Sequence, residues 1–327
     1  FLSDWFNNDD FVIVKTSGST GKPKLIQLKK NFMVNSAQST GSFFNLQENT
    51  FALLCLSTDY IAGKMMLVRA LTLGWSLDII KPTNNPLKNI EKKYHFSAMV
   101  PLQLQNSLSY IYKVEMLIVG GGVVSQKLQE KLQNISTKVF ATYGMTETIT
   151  HIAIKKLNKF KIANLDKVEK SFYQTLKNVS IFIDERSCLV VEAPKVSDEL
   201  IITNDVVQLI SENKFEWLGR FDNVINSGGI KLYPEKIEEK LTPIIKQRFF
   251  VAGIIDSVLG EKLILIIEGN RNDVTATLAD KSLEFEIKTL KSLTKYEVPK
   301  EIYFLDKFIE TKTNKIQRDK TLKKVLF

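Results

Sequence analysis

Between residues 51 and 142 short apolar runs recur at Phe51–Leu56, Leu77–Ile80, Ala98–Val100, Met116–Val119 and Lys138–Thr142, with helix-length segments such as Gly63–Leu73 and Ser125–Leu132 between them. Short strands alternating with helices predict an α/β sheet with crossovers. A further buried strand is read at Asp10–Lys15. It runs into Thr16-Ser17-Gly18-Ser19-Thr20-Gly21-Lys22-Pro23-Lys24, and a helix is expected from about Leu28, giving strand, loop and helix. From Asn178 the pattern changes to strands at Val179–Asp184 and Cys188–Glu192 around the turn-forming Asp184-Glu185-Arg186-Ser187. A small β subdomain near 178–219 is the expectation. After Asp222 a second unit begins. Pro234 opens a helix whose Ile237, Leu241, Ile244 and Ile245 share one face, followed by strands at Val251–Ile255 and Leu263–Ile267, a helix through Leu283, Ile287 and Leu290, and a strand at Ile302–Leu305. Proline is tolerated in the first turn because its missing N–H has no intrahelical partner there. The chain thus divides into a large domain, 1–221, and an α+β domain, 222–327.

Composition narrows the function classes. With 44% hydrophobic and 25% charged residues over 327 positions, the chain is folded rather than disordered, and no apolar run approaches the roughly 20 residues that cross a bilayer. Neither stable membrane insertion nor a secretory signal is expected. Lys and Arg exceed Asp and Glu by 45 to 36, a formal +9, but no basic tail or aromatic-interleaved basic stripe stands out, so no nucleic-acid partner is expected. Cys55 and Cys188 offer neither a disulfide scaffold nor a zinc cluster and suit a reducing, cytoplasmic setting. His95 and His151 are too few for an all-histidine metal site.

Five segments carry candidate chemistry. Thr16–Lys24 combines glycines, which let backbone approach a phosphate, with hydroxyl donors and lysine charge, but lacks the order of a Walker A loop. Thr142-Tyr143-Gly144-Met145-Thr146-Glu147-Thr148 places a carboxylate beside hydroxyls, suited to a divalent ion bridging phosphates, and a tyrosine with a flat face for a base. In Thr203-Asn204-Asp205 the acidic side chain could accept hydrogen bonds from a ribose diol or act as a cap. The fourth segment runs from Gly219-Arg220-Phe221-Asp222 through Ser227-Gly228-Gly229-Ile230-Lys231 to Pro234-Glu235-Lys236-Ile237-Glu238. The fifth is Thr311-Lys312-Thr313-Asn314-Lys315-Ile316-Gln317-Arg318. Each of these last two alone reads equally as a surface turn.

In this order and at these separations, the five motifs resemble the adenylate-forming acyl-CoA synthetase superfamily along nearly the whole chain. The resemblance implies a two-domain adenylate-forming enzyme whose carboxy-terminal α+β domain is a mobile lid. It also implies a reduced amino-terminal lobe or a fragment, because barely fifteen residues precede the phosphate loop where relatives have a subdomain. By resemblance, Thr16, Ser17, Gly18, Ser19, Thr20, Gly21 and Lys24 form the phosphate loop. Tyr143, Gly144, Thr146 and Glu147 form the nucleotide and Mg²⁺ motif, Asp205 and Arg220 the ribose contacts, Asp222 the hinge, and Gly121 and Gly122 the adenine-side loop. Lys315 is the lysine of adenylate formation, although Asn314 replaces the usual glycine. The implied partners are ATP, Mg²⁺, coenzyme A and a small carboxylate, and a homodimer is allowed for. Tyr-Gly-Met-Thr-Glu-Thr, the Asn-Lys terminal motif and the short length most resemble the 2-succinylbenzoate-CoA ligase subfamily of menaquinone synthesis. Tyr60 stands where relatives have histidine at the acyl gate. A second substrate carboxylate would need a cation, for which Arg69 and Lys64 compete. His151 either faces the acyl site or is a loop histidine, and His95 is read as structural.

Overall fold

The computed structural model describes residues 1–15, 24–158, 171–270, 282–311 and 316–326. Five parallel strands form the heart of the large sheet, in the order β4 (Ser76–Ile79), β3 (Phe51–Leu54), β5 (Tyr94–Met99), β6 (Val114–Val119) and β7 (Lys138–Gly144). Side chains alternate across it. Leu53, Tyr94, Met99, Leu117 and Val119 pack with Leu104 of α4 (Pro101–Ser107) and Leu128 and Leu132 of α5 (Gln126–Leu132). Ala52, Leu54, Phe96, Ala98 and Ile118 pack with Phe44 of α2 (Lys30–Phe44) and Met66 and Ala70 of α3 (Ile61–Leu73) on the other face. Burial on both faces is what a parallel sheet with crossover helices requires, and it explains the apolar runs.

Beyond β7 the sheet turns antiparallel through β8 (His151–Lys156) and β9 (Tyr173–Thr175). It continues through β13 (Lys214–Arg220), β12 (Ile201–Ser211), β11 (Cys188–Glu192) and β10 (Ser180–Ile183). The strands expected as a β subdomain therefore lie on one hydrogen-bonded path with the parallel strands. The join is narrow: among the described residues β13 meets β9 at Lys214↔Gln174 and Phe215↔Tyr173.

One expectation is corrected. The segment after the first loop does not enter a helix near Leu28; Leu25–Lys29 is strand β2, paired antiparallel along its full length with β1 (Phe11–Lys15), and α2 starts at Lys30. Among the described strands β1 pairs only with β2, which supplies its backbone partners in a separate two-stranded sheet. The β1–β2 ladder runs from Phe11↔Lys29 to Lys15↔Leu25.

The carboxy-terminal unit is built on β14 (Ile225–Ser227), β15 (Ile230–Leu232), β16 (Phe249–Asp256), β17 (Gly260–Glu268) and β18 (Glu301–Leu305), the last parallel to β17. Ile237 and Leu241 of α6 (Pro234–Leu241), with Leu283 and Ile287 of the helix Leu283–Thr289, cover one face. Phe308, Ile316, Leu322 and Val325 cover the other. The architecture is thus a larger α/β domain followed by a smaller α+β domain. Among the described residues no helix is long and apolar enough to cross a membrane.

Candidate nucleotide and acyl sites

Three of the sequence motifs meet at one carboxylate. Asp205 lies opposite Arg220 on the β12–β13 ladder and is 8% exposed. Its Oδ2 accepts a hydrogen bond from the Tyr143 hydroxyl at 2.7 Å, and its Oδ1 accepts from Trp217 Nε1 at 3.0 Å and faces an Arg220 guanidinium nitrogen at 3.5 Å. Burial, and then the Asp205 charge, push the Tyr143 phenol far above its ordinary range, so it stays protonated and donates. Its ring is held edge-on by Phe215 at 5.2 Å and Tyr173 at 5.9 Å. Arg220 also approaches Asp222 at 3.8 Å, and Asn204 Nδ2 donates to both Asp222 oxygens, at 3.2 and 3.0 Å. Tyr143, Asp205, Arg220 and Asp222 therefore form one connected set. A carboxylate has about four acceptor positions, and three are taken by these donors. The remaining one suits a hydroxyl. Sequence reading missed Trp217, because the Val207↔Trp217 pairing that brings β13 to the strand carrying Asp205 leaves no local signal.

The segment from Thr142 to His151 is held by close backbone contacts. The Thr142 hydroxyl donates to Val119 O at 3.2 Å, which fixes it to the neighbouring strand. A Cβ on Gly144 would stand 1.9 Å from Thr150 O, so only glycine fits. Glu147 is exposed on the short turn Thr146–Thr148. Ile149 follows at φ 65°, ψ −63°, with Thr150 N donating to Thr148 O at 2.7 Å. This is a γ-turn of positive φ, and for a β-branched residue it stores about 1–3 kcal/mol of strain. The buried Thr148 hydroxyl braces it, accepting from Met145 N at 3.0 Å and donating toward Thr150 O at 2.6 Å.

Behind this turn lies a buried cation. Arg69 is 1% exposed; its Nε donates to Thr40 Oγ1 at 3.2 Å and a terminal nitrogen to Thr150 Oγ1 at 3.3 Å. Thr40 Oγ1 is also 3.3 Å from His151 Nε2, and Ser36 Oγ is 3.2 Å from Thr150 Oγ1. Among the described residues no carboxylate pairs with Arg69, and burial lowers its pKa to about 10. His151 opens β8, is buried, and is pushed well below its ordinary value by burial and then by the Arg69 charge. The loop reading of His151 is therefore corrected: hydrogen bonding of Gly144 to the β8 end places it in the sheet.

Other candidates stand apart. Tyr60, 46% exposed, precedes α3 at the opposite end from Arg69. Lys64 bonds Thr58 O at 2.5 Å and lies over the Phe1 ring at 5.7 Å, so it is engaged locally. Gly121, at φ 78°, and Gly122 lie over Val100 and Pro101 in the turn after β6. His95 Nδ1 accepts from Phe51 N at 3.0 Å. Lys24 is exposed just before β2. Thr16, Ser17, Gly18, Ser19, Thr20, Gly21 and Lys315 lie outside the described residues.

Among the described residues no three His, Cys, Asp or Glu side chains group to cage a metal. The exposed Glu147 fits Mg²⁺ differently. That ion keeps several waters and takes one or two carboxylates together with phosphate oxygens.

Residues 3–192 match the family model described as AMP-binding enzyme. The chain is 25% identical to the 2-succinylbenzoate–CoA ligase of Lactococcus lactis subsp. lactis (strain IL1403) over 328 residues, covering 94% of this chain and 69% of that protein. An enzyme of the same name from Geobacillus sp. (strain WCH70) is 25% identical over 353 residues, covering 97% and 70%. Among solved structures, the acyl-CoA synthetase (AMP-forming)/AMP-acid ligase II-like protein from Dyadobacter fermentans DSM 18053 is 34% identical, with a TM-score of 0.63 over 99% of this chain and 92% of that one. The o-succinylbenzoate CoA synthetase from Bacillus subtilis, in complex with the acyl-adenylate intermediate OSB-AMP, shares the fold at 22% identity and a TM-score of 0.77, covering 94% and 68%.

Proposed function

The chain belongs to the AMP-binding enzyme family, and from that premise we propose that it is an ATP-dependent, AMP-forming acid–thiol ligase that converts 2-succinylbenzoate to its coenzyme A thioester in menaquinone synthesis. One observation carries the reading: Asp205 joins Tyr143, Arg220 and, through Arg220, Asp222, so that residues from three separate motifs form a single polar site.

In the first step a substrate carboxylate oxygen bonds to the α-phosphorus of ATP and pyrophosphate departs. In the second, the coenzyme A sulfur attacks the acyl carbonyl, AMP leaves, and the thiol proton is released. Asp205 and Arg220 are proposed to bind the ribose hydroxyls, with Tyr143 orienting the carboxylate by its short hydrogen bond and offering its flat face to the base. Gly121 and Gly122 present bare backbone at the adenine side. Thr16 to Gly21, with Lys24, would supply preorganised donors to the phosphates, and Lys315 would stabilise the charge that develops on α-phosphate and carboxylate oxygens. Mg²⁺, when bound, screens the like charges of the polyphosphate. Glu147 is its proposed protein ligand, and the hydroxyl of Thr146 lies beside it on the same turn.

The acyl assignment draws support from Arg69. A guanidinium whose partners among the described residues are hydroxyls, in surroundings of low dielectric, attracts an anion strongly. A substrate whose second carboxylate approaches the Thr150 side of this cluster would supply the missing charge; Lys64 and Tyr60 are then left to the entrance. We further propose the division at 221/222 with Asp222 as hinge, a few backbone dihedrals there absorbing rotation of the smaller domain between the two steps.

ATP–pyrophosphate exchange across a panel of acids tests this reading. 2-Succinylbenzoate should stimulate exchange at least about tenfold more than benzoate or a short fatty acid, the discrimination expected when a charged partner is present or missing. Equal stimulation by monocarboxylates would move the substrate to another aryl or short-chain acid. Exchange without any free coenzyme A thioester would identify a carrier-loading adenylation domain instead.

A further inference from the structure

The short turn Phe221–Asn223 joins the two domains, and its side chains are tied in opposite directions. Asp222 is held from the large domain: Asn204 Nδ2 donates to both of its oxygens, at 3.2 and 3.0 Å, and an Arg220 nitrogen stands 3.8 Å away. The next residue, Asn223, donates instead to Glu235 Oε1 on α6, in the smaller domain. The ties therefore change sides between residues 222 and 223. With its neighbours fixed on either side, the chain keeps its freedom at the junction itself, about ψ of Asp222 and φ of Asn223, and hinge motion is absorbed by just such a few dihedrals.

A side-chain amide can turn either its donor or its acceptor toward a neighbour, and Arg186 settles which. One of its terminal nitrogens donates to Asn204 Oδ1 at 2.9 Å. A guanidinium has no acceptor and a carboxylate no donor, so an amide placed between them must turn its NH₂ group toward Asp222. Arg186 is fixed in its turn. Its Nε donates to Asp184 Oδ2 at 2.9 Å and its other terminal nitrogen to Thr203 O at 3.1 Å, while Asp184 Oδ1 accepts from the backbone N–H groups of Arg186 and Cys188, each at 2.9 Å. The guanidinium also lies over the Phe221 ring at 5.3 Å. A directed relay thus runs from Asp184 through Arg186 and Asn204 to Asp222. Asn204 and Asp205 are consecutive on β12, yet the first holds the linker and the second the Tyr143 network. The ion pair of Lys236 on α6 with Glu216 on β13, at 2.8 Å, differs in kind: it crosses the junction and must part when the smaller domain turns away. The Asn204 tie lies on one side of the junction and can persist through the motion.

We propose that Asn204, aimed by Arg186, is a positioning residue for the hinge: it seats Asp222 on the large domain, so that rotation is confined to the 222–223 junction and the smaller domain swings about one axis. The inference rests on the ligase reading above, in which the smaller domain rotates at Asp222 between the two half-reactions.

Spin labels on Lys127→Cys, in α5, and Lys288→Cys, in the helix Leu283–Thr289, report the distance between the domains of the full-length protein; Cys55 and Cys188 are buried and stay unlabelled. Pulsed electron double resonance is recorded on the otherwise unchanged protein, on Asn204→Ala, on Arg186→Met, on these two combined, and on the exchange Asn204→Asp with Asp222→Asn. Each is measured free, with ATP and Mg²⁺, and with AMP and coenzyme A, so that no turnover occurs. Asn204→Ala should widen the distance distribution at least about twofold, because a further residue of the linker becomes free to turn. Arg186→Met should widen it similarly by releasing the amide, and should add nothing to Asn204→Ala, since the two act through one contact. The exchange restores a donor and an acceptor between the two positions and should recover the original width. Amide hydrogen exchange of residues 221–225 should speed about fivefold in Asn204→Ala, the size of one net hydrogen bond, while ATP affinity stays within about threefold. An unchanged width in Asn204→Ala, no recovery in the exchange, or a loss of ATP affinity as large as that of Asp205→Ala would overturn the proposal. If the mean distance in the otherwise unchanged protein is the same with ATP as with AMP and coenzyme A, the rotation in the ligase reading falls, and the proposal with it. If that distance moves while Asn204→Ala is no wider, the anchor alone is wrong.

Discussion

Asp205 and Arg69 are two charges buried in the same domain, and their surroundings are opposites. Asp205 is met by a phenol from β7 and by an indole N–H and a guanidinium from the adjacent β13. Arg69, more deeply buried, meets only the hydroxyls of Thr40 and Thr150 among the described residues. Burying an ion without a counter-charge is unfavourable and is tolerated where something else is gained. The comparison therefore separates a charge that has a counter-charge within the chain from one whose environment invites an anion.

Removing the paired charge should have the larger effect. Asp205→Ala leaves the Tyr143 hydroxyl and the Trp217 N–H buried without an acceptor, each worth about 1–3 kcal/mol. The Arg220 contact is long and its side chain 39% exposed, so it adds little. Urea unfolding should show a loss of roughly 2–5 kcal/mol, and calorimetric titration should show ATP affinity down by about 100-fold, equivalent to about 2.7 kcal/mol. A stability loss with unchanged ATP affinity would make the Asp205 network purely architectural and break the comparison at its first member.

Arg69→Met should do the reverse. The desolvation of the guanidinium disappears while the side-chain volume is largely kept, so stability should change by less than about 1 kcal/mol. The kcat/KM for 2-succinylbenzoate should fall about 100-fold, a loss of about 2.7 kcal/mol in transition-state stabilisation, while that for benzoate stays within about threefold. Equal losses for both acids would mean that Arg69 shapes the turn at Thr150 and does not read the substrate.

The two sites also differ in how far the sequence disclosed them. Tyr143, Asp205 and Arg220 stand in motifs that could be read directly, because their chemistry and order are carried by local runs of residues. What joins them was invisible: the β12–β13 register that brings Trp217 to Asp205 depends on a hairpin with irregular pairing between Val206 and Val207. For Arg69 a signal was present. Met65, Met66, Val68 and Ala70 flank Arg69 with apolar positions, so it falls on the buried side of helix α3 together with them. Strand β2 was misread because Leu25 to Lys29 is too short for period to distinguish strand from helix, and only its pairing with β1 decides. The γ-turn at Ile149 has no sequence signature at all, since a β-branched residue at positive φ runs against local preference and is imposed by the strands around it.

The smallest effect concerns His151, which meets the Arg69 cluster at Thr40 Oγ1 and pairs with Gly144, next to Tyr143, on the β7–β8 ladder. Burial and the nearby Arg69 charge hold its folded pKa well below the ordinary value, near 6.5, that it regains on unfolding. Below that value the unfolded chain binds a proton that the folded chain refuses, so stability present at neutral pH is lost as pH falls. His151 therefore lowers stability at about pH 5.5 relative to about pH 7.5. Urea unfolding of the parent and of His151→Gln at both values isolates it, because carboxylates that titrate in the same direction are common to the two proteins. The parent should lose more stability than His151→Gln as pH falls between the two values, and an equal loss would mean that His151 does not titrate differently on folding. In the Arg69→Met background His151 should still be depressed, since burial is the larger cause, but by less. If the His151→Gln difference vanished in that background, the guanidinium rather than burial would dominate at this position, and Arg69 would be the stronger electrostatic source of the two buried charges.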